Sequence, residues 1–573
     1  MSPLDTLLEK ITVHLTGIYG EGDHRDLRDA IVREMRLDEH FYEPAPFTNH
    51  WTEEDIALIT YGDSVIGERK PLQELKIFVD KHLSEAISIV HVLPYFPWTA
   101  DDGFAVSDYL SVNPSLGNWK DLEAISEDYR LMSDLVVNHC SASHEWFQQF
   151  QNGEEPGASY FITADPADDL SDVVRPRTSP LLKEVSGRHV WCTFGHDQID
   201  LNFKEPELLI ELVKIIRAHL DRGVSIFRLD AIAFIWKEIG TPCLNLPQTH
   251  EIVRLFRTLI EHVKPDSVLI TETNIPNREN LSYFGNFNEA HSIYNFSLPP
   301  LLLHALTTGT CQALRRWIMG MPPARPGTTY FNFLASHDGI GLRPTEGLLD
   351  DHEIHELVAR MEENGARVSS RTLPDGSSRP YEINISLFDA FLGPDGLGLK
   401  RFVCAHAILL GLEGIPAFYI HSLLGTRNDL EKVRKTGHNR HINRHQWDLA
   451  HLETELADER SPHSTVLRHL KKLIIIRREQ PAFHPNATQF SLQLGDAVFG
   501  FWRQSLDRNN QVFCLHNITN TSQHLPLTNI NLTGTEEWLD LIGGEELDPT
   551  DPAIHLRPYQ SIWLTNIRQH LPY

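Results

Sequence analysis

Four polar interruptions in otherwise apolar, strand-like runs hold the residues able to do chemistry in this sequence. LVVNH closes on Asn138 and His139, IFRLDAIAF carries Arg228 and Asp230, VLITETN carries Glu272, and FLASHD closes on His337 and Asp338. Arg228 and Asp230 are two apart, so on a strand both side chains leave the same face. A fully buried strand has no place for bare charge, and four strands with charge at matching ends imply one shared polar pocket. Two or three carboxylates point to transfer of a glycosyl group: one attacks the anomeric carbon and a second carboxyl protonates the departing oxygen. Arg228 is placed to keep Asp230 ionised by charge pairing. Asp338 supplies a third carboxylate to bind sugar hydroxyls and stabilise an oxocarbenium-like transition state. Singly, each piece has a plainer reading: R-x-D as a satisfied ion pair, E-T-N as a cap, H-D as a turn. The enzymatic reading rests on their joint occurrence, in order and on strand ends.

The elements that must position these residues alternate along the chain. Strand candidates are 56–62, 87–96, 131–139, 224–234, 268–274, 292–299, 329–338 and 415–420, and helical patterns such as 206–220, 250–263 and 400–412 fall between them. Eight buried strands separated by helices predict an α/β fold, a (β/α)₈ TIM barrel. A doubly wound open sheet is the other candidate. It would carry a glycine-rich phosphate turn after its first strand, whereas GIYGEGD (17–23) precedes the strands. The predicted organisation is an N-terminal helical extension (1–52) and a catalytic barrel (53–139, 205–338 and 398–480). Two insertions interrupt the barrel, at 140–204 with RPRTSP and at 339–397 with LPDGSSRPYE. A small antiparallel β domain (481–573) closes the chain. Both insertions follow strands ending in polar residues, where barrel loops build active-site walls.

Bulk properties exclude other classes. Lys+Arg number 51 against 78 Asp+Glu, a formal net charge of −27, so the chain repels nucleic-acid phosphates and anionic membranes. Any anion it uses must be caught by a local cluster of Arg, Lys or backbone N–H groups. Its six cysteines form no C-x-x-C pair, which favours a reducing compartment. Asp5 and Glu9 break any signal-peptide run, and His406, Glu413 and Pro416 interrupt the most apolar stretch, 402–420. The expectation is a cytoplasmic protein, as a monomer or homodimer.

DLVVNH (134–139), IFRLDAIAF (226–234), ITETN (270–274) and FLASHD (333–338) together resemble the four ordered signature regions of the α-amylase superfamily, over essentially residues 53–573. The resemblance implies Asp230 as nucleophile, Glu272 as acid/base and Asp338 as transition-state stabiliser, with His139, Arg228 and His337 contacting the bound glucosyl unit. Further segments resemble the sucrose phosphorylase branch. DDGFAVSDY (101–109) implies Asp101 and Phe104 on the glucosyl ring. RHVWCTFGHDQIDLN (188–202) implies a platform Phe194 and Gln198. INRH (442–445) implies Arg444 on the far hydroxyls, and RPR (175–177) implies Arg177 on phosphate. The branch's reaction would be retaining transfer of glucose, through a β-glucosyl-Asp intermediate, from an α-glucoside to inorganic phosphate, giving α-glucose 1-phosphate.

On the acceptor side, Asn274 stands where the sucrose-cleaving members carry His, and Phe234 where they carry Tyr. SHDGIGLRPTEGLL (336–349) and PDGSSRPYEINIS (374–386) are more similar to the branch members that cleave 2-O-α-glucosylglycerate. A glycerate carboxylate calls for extra positive groups, for which Arg343 and Arg379 are candidates, against the plainer reading of solvated loop arginines. Sucrose phosphorolysis, phosphate-independent hydrolysis or transglucosylation, and a non-catalytic binding role are the alternatives. The His-rich run HNRHINRH (438–445) has spacing that zinc can use, but the resemblance gives its Arg444 a sugar-binding role and implies neither zinc, calcium nor any other cofactor.

Overall fold

The computed structural model describes residues 2–177, 179–372, 378–530, 537–548 and 550–566. Its centre is a closed parallel barrel of the eight expected strands: β1 (Ala57–Thr60), β2 (Ile89–Val92), β3 (Arg130–Val136), β4 (Val224–Asp230), β5 (Val268–Thr271), β6 (Ser292–Tyr294), β7 (Thr329–Phe333) and β8 (Ile415–Tyr419). Neighbours in sequence are neighbours in space, and β8 closes on β1. Every strand residue is buried except Arg130, which is half-buried. Apolar runs covered on both faces are what a barrel between lumen and helix ring requires. The helix Pro206–Asp221 shows how that ring forms. Proline sits at its start, the Glu205 side chain accepts a hydrogen bond from the Glu207 N–H, and Leu208, Leu212, Val213 and Ile216 are buried.

The strands stop earlier than the sequence pattern suggests. β5 ends at Thr271 and β7 at Phe333, so Glu272, His337 and Asp338 stand on the turns just beyond. The apolar stretch 402–420 divides between the helix Gly398–Gly411 and β8. No helix among the described residues is long and apolar enough to cross a membrane. All six cysteines are buried thiols without disulfide bonds.

The N-terminal extension is helical only over α1 (Pro3–Tyr19) and α2 (Arg25–Glu34). Leu7, Ile11, Leu15 and Ile18 of α1 are buried. His14 hydrogen-bonds to Glu251 at 3.0 Å and to Thr258 at 3.2 Å, both on the helix Pro247–Val263 that follows β4. After β3 the chain forms the antiparallel pair His139–Ser141 with Gln198–Asp200 and the hairpin Leu182–Val185 with Arg188–Trp191. After β7 it forms a three-stranded sheet of Ile340–Gly341, Ser378–Asn384 and Arg367–Thr372 beside the helix Asp351–Glu363. Residues 373–377 of LPDGSSRPYE and Thr178 of RPRTSP lie outside the described residues.

The C-terminal part carries a six-stranded antiparallel sheet from Thr488–Ser491 to Ser561–Asn566. One face holds its own core, including Phe513, Leu515, Trp538 and Leu564. The other seats Phe501 and Cys514 against Gly411, while Arg503 donates to the Gly411 carbonyl at 2.7 Å. A Cβ at 411 would come within 2.9 Å of Phe501 and 3.2 Å of Cys514. Gly411→Ala is therefore expected to lower the melting temperature, by roughly 1–3 kcal/mol of overpacking. Turnover per folded molecule should be unchanged, which calorimetry and an assay on the same preparation would check.

Candidate active site

The floor of the site is one buried guanidinium. Arg228 lies opposite Asp134 of β3 in the strand register, and Asp230 lies opposite Val136. Arg228 ion-pairs with Asp134, donates to Asp230 Oδ1 at 2.9 Å and lies 3.7 Å from Glu272 Oε1. Asp134 is held from the far side by His91 of β2 at 2.8 Å. Immediately after Asp230 the backbone turns left-handed at Ala231, with φ of 50°. That turn aims the Ala231 N–H at Glu272 Oε2, 3.0 Å away. A left-handed non-glycine residue costs about 1–3 kcal/mol and persists only where its surroundings fix it.

The walls come from the loops. Asp101, Phe104, His139, Phe194, Gln198, Asp230, Phe234, Glu272, Asn274, His337, Asp338, Arg177 and Arg343 all line one inner cavity. Phe104 stacks on His337 at 4.8 Å with rings 3° apart. The Phe104 carbonyl accepts from Gln198 Nε2 at 3.2 Å and hydrogen-bonds to His139 Nε2 at 2.8 Å. Phe194 meets the edge of Phe234 at 5.5 Å. Asn274 packs against Gly341, where a Cβ would lie 2.8 Å from its amide. Arg228 sits beneath the cavity. Arg444 lines the adjoining outer cleft instead, donating through Nε to the His337 carbonyl at 2.9 Å. Arg379 is the expected site residue that stands apart: it lies toward the tip of its hairpin and pairs with Asp351 at 2.5 Å, outside the cavity lining.

Four charged residues of the site escape the sequence reading. Asp134 opens the quoted DLVVNH, and a carboxylate inside a buried strand was the available signal. Asp102 is adjacent to Asp101, and sequence alone does not separate the roles of two consecutive aspartates. Arg440 stands four residues before Arg444 and donates to Asp338 Oδ1 at 2.7 Å and to Glu382 Oε2 at 2.7 Å. Glu382 itself is buried in the second insertion. Nothing in their spacing distinguishes these last two from loop charges. The histidines of 438–445 go elsewhere: His441 Nε2 meets Asp102 at 2.8 Å and His445 Nδ1 meets Asp429 at 2.8 Å. Among the described residues no group of three His, Cys, Asp or Glu side chains is arranged to hold a metal.

Burial pushes the Asp230 carboxyl well above its ordinary range; Arg228 opposes this and Glu272 adds to it. Burial also raises Glu272, with Arg228 opposing. Two such carboxyls titrate as a pair. The shorter contact to Arg228, 2.9 against 3.7 Å, favours the negative charge on Asp230 and the proton on Glu272. Asp338 is the reverse case. Burial raises it, but Arg440, Arg444, Arg228 and Arg177 together outweigh that and hold it below its ordinary value.

The signs fix a stability test. Asp230, raised on folding, binds its proton more tightly in the folded state; the stability this brings is present at low pH and lost as pH rises through the folded value. Near pH 7 a neutral isostere escapes that cost. Asp338, lowered on folding, contributes stability above its unfolded value that is lost as pH falls. Asp230→Asn should therefore melt at or above the wild-type temperature at pH 7, and Asp338→Asn roughly 1–3 °C below it. Thermal melts of the two variants at pH 7 would check both directions, and equal shifts of the same sign would contradict them.

Residues 86–339 match the family model described as Alpha amylase, catalytic domain. The chain is 40% identical over 566 residues to the glucosylglycerate phosphorylase of Escherichia coli (strain K12), covering 97% of this chain and 100% of that one. It is 43% identical over 525 residues to the glucosylglycerate phosphorylase of Allomeiothermus silvanus, covering 90% and 91%. The crystal structure of sucrose 6F-phosphate phosphorylase from Thermoanaerobacter thermosaccharolyticum superposes with a TM-score of 0.71 at 27% identity, covering 81% of this chain and 94% of that one.

Proposed function

The chain belongs to the α-amylase family, among its glucoside phosphorylases, and from that premise we propose that it converts 2-O-α-glucosylglycerate and inorganic phosphate to α-glucose 1-phosphate and glycerate with retention. In the first step an oxygen of Asp230 attacks the anomeric carbon. The bond to the glycerate oxygen breaks, and that oxygen takes the proton of Glu272. In the second step a phosphate oxygen attacks the same carbon, Glu272 recovers a proton from the phosphate, and the ester to Asp230 breaks. Two inversions give net retention. Arg228 supports the first step by holding charge on Asp230. The Ala231 N–H steadies Glu272 without taking its proton. Asp338, held ionised by Arg440, is suited to the hydroxyls of the glucosyl unit and to the positive charge that develops on its ring.

One observation carries the choice of phosphate over water. Arg177 and Arg343 face the same cavity as Asp230 and Glu272, and neither has a carboxylate partner within ion-pair distance among the described residues. The Arg343 Nε is buried without a hydrogen-bond partner among the described residues, and Arg177 lies over the Phe194 ring at 5.9 Å. Two uncommitted guanidiniums suit a phosphate or a carboxylate, the anions that this substrate pair presents. The preference for glucosylglycerate over sucrose rests on Asn274 and Phe234, on the second insertion, and on the likeness to the two glucosylglycerate phosphorylases.

Release of α-glucose 1-phosphate, measured with glucosylglycerate and sucrose in parallel at fixed phosphate, tests this reading. Fast release from glucosylglycerate alone is expected. Faster release from sucrose would keep the reaction and overturn the acceptor, and glucose release independent of phosphate would make the chain a hydrolase. Arg177→Ala should raise the KM for phosphate about tenfold, the loss of one charge-assisted hydrogen bond, with the KM for the glucoside changed less than about twofold. A phosphate KM at the wild-type value would remove Arg177 from the phosphate site.

A further inference from the structure

The loop that follows β2 is held in a conformation that its own sequence disfavours. Asp101 and Asp102 are consecutive non-glycine residues with φ of 52° and 48°. The next residue, Gly103, has φ of 120°, and a Cβ there would lie 2.7 Å from the Pro94 carbonyl oxygen. Each left-handed residue costs about 1–3 kcal/mol and persists only where its surroundings fix it. What fixes this turn is the Asp102 carboxylate, whose Oδ2 accepts from Arg444 NH1 at 2.7 Å and meets His441 Nε2 at 2.8 Å. The second nitrogen of His441 hydrogen-bonds to Thr436 Oγ1 at 2.7 Å, so the imidazole is itself oriented. Arg444 continues the chain of contacts: its Nε donates to the His337 carbonyl, and its NH1 lies 3.8 Å from Asp101.

Asp102 thus ties together the loops after β2, β7 and β8 without itself lining the inner cavity. It also supplies the closest counter-charge to a guanidinium that is almost wholly buried. Asp101 and His337, the two wall residues it steadies, face the cavity on the side of Asp338. Resting on the reading of this cavity as a glucosyl pocket, we propose that Asp102 is a positioning residue for glucosyl recognition: through Arg444 and the strained turn it sets Asp101 and His337 against the sugar. The deficit on losing it should follow the glucosyl unit, whichever acceptor is used.

Two substitutions separate the carboxylate from the backbone. Asp102→Gly keeps the left-handed turn at no strain and removes the carboxylate. Asp102→Asn tolerates the turn and keeps one acceptor oxygen but loses the charge. The probe is 1-deoxynojirimycin, a cationic mimic of a glucosyl unit, titrated calorimetrically into each protein, with melting temperatures measured alongside. Expected is a loss of affinity of about tenfold or more in Asp102→Gly and a smaller loss in Asp102→Asn, with Asp102→Gly folded but melting below wild type, because Arg444 then keeps Asp101, 3.8 Å away, as its nearest carboxylate. Kinetically, the KM for glucosylglycerate and for α-glucose 1-phosphate should rise together while that for phosphate moves less than about twofold. Wild-type affinity in a folded Asp102→Gly would overturn the proposal, as would a phosphate KM that rises as much as the donors'. Absence of phosphorolysis in the wild type would instead count against the phosphorylase reading, and the titration would still decide the role of Asp102.

Discussion

Everything in this site is arranged around the cost of burying Arg228. Removing a guanidinium from water carries a penalty of several kcal/mol even after relaxation, recovered only where counter-charges and hydrogen bonds meet it in good geometry. Three carboxylates do so from three adjacent strands or their ends: Asp134 on β3, Asp230 on β4 and Glu272 after β5. They converge because β3, β4 and β5 run parallel in a register that sets Asp134 and Ile270 on either side of Arg228. A slip of one residue would turn Asp230 and Arg228 toward the helix ring. The barrel's closure and the placement of the Asp230–Glu272 pair are therefore one constraint. Asp134, shared with His91, lets the guanidinium support two further carboxyls without needing both of them ionised.

Above that floor lies a second layer of charge from loops. Arg440 spans Asp338 and Glu382, and Arg444 spans Asp102 and the His337 carbonyl. This layer shows how an acidic chain can still offer positive charge to an anion such as the phosphate of the proposed reaction. A net charge of −27 sets the distant field, but binding responds to the local one, where charges separated by more than a Debye length are screened. Arg440 and Arg444 are occupied with the pocket's own acids, whereas Arg177 and Arg343 have no carboxylate at ion-pair distance among the described residues. The two pairs of arginines differ in what they meet: Arg440 and Arg444 pair with carboxylates, whereas Arg177 and Arg343 face the inner cavity.

The strands and the floor were legible in the sequence because both follow from period-two geometry. Charges inside buried runs have few places to go, so Arg228, Asp230 and Glu272 point to a pocket from sequence alone. The second layer was not legible for the opposite reason. In HNRHINRH, Arg440 lies within a 3₁₀ turn, Asn439–Asn443, and Arg444 directly follows it. Which of them reaches Asp338 and which turns back to Asp102 depends on how that turn sits on the loops after β2 and β7. Arg379 shows the same limit from the other side. Its place in the second insertion made it a candidate, yet Asp351 at the start of the neighbouring helix takes its charge. Asp134 differs from these: it stands in DLVVNH itself, inside the buried run, and its carboxylate is as legible there as the polar residues that close the run.

Strain marks the points where the two layers meet. Ala231 is left-handed directly after Asp230, and Asp101 and Asp102 are left-handed where the β2 loop crosses the pocket mouth. Alternatives at these places would be glycine, which adopts such angles freely but loses more conformational entropy on folding and holds no fixed direction. A non-glycine residue pinned by its surroundings gives a stiffer turn. At Ala231 the stiffness directs an N–H at Glu272; at Asp102 the residue that bears the strain also carries the carboxylate that secures it. Preorganisation of this kind lowers stability in the resting protein and reduces what must be reorganised when a transition state forms. The buried carboxyls follow the same logic: burial raises both Asp230 and Glu272 against the pull of Arg228, so one proton shared between them meets the cost of placing two acids beside a single guanidinium.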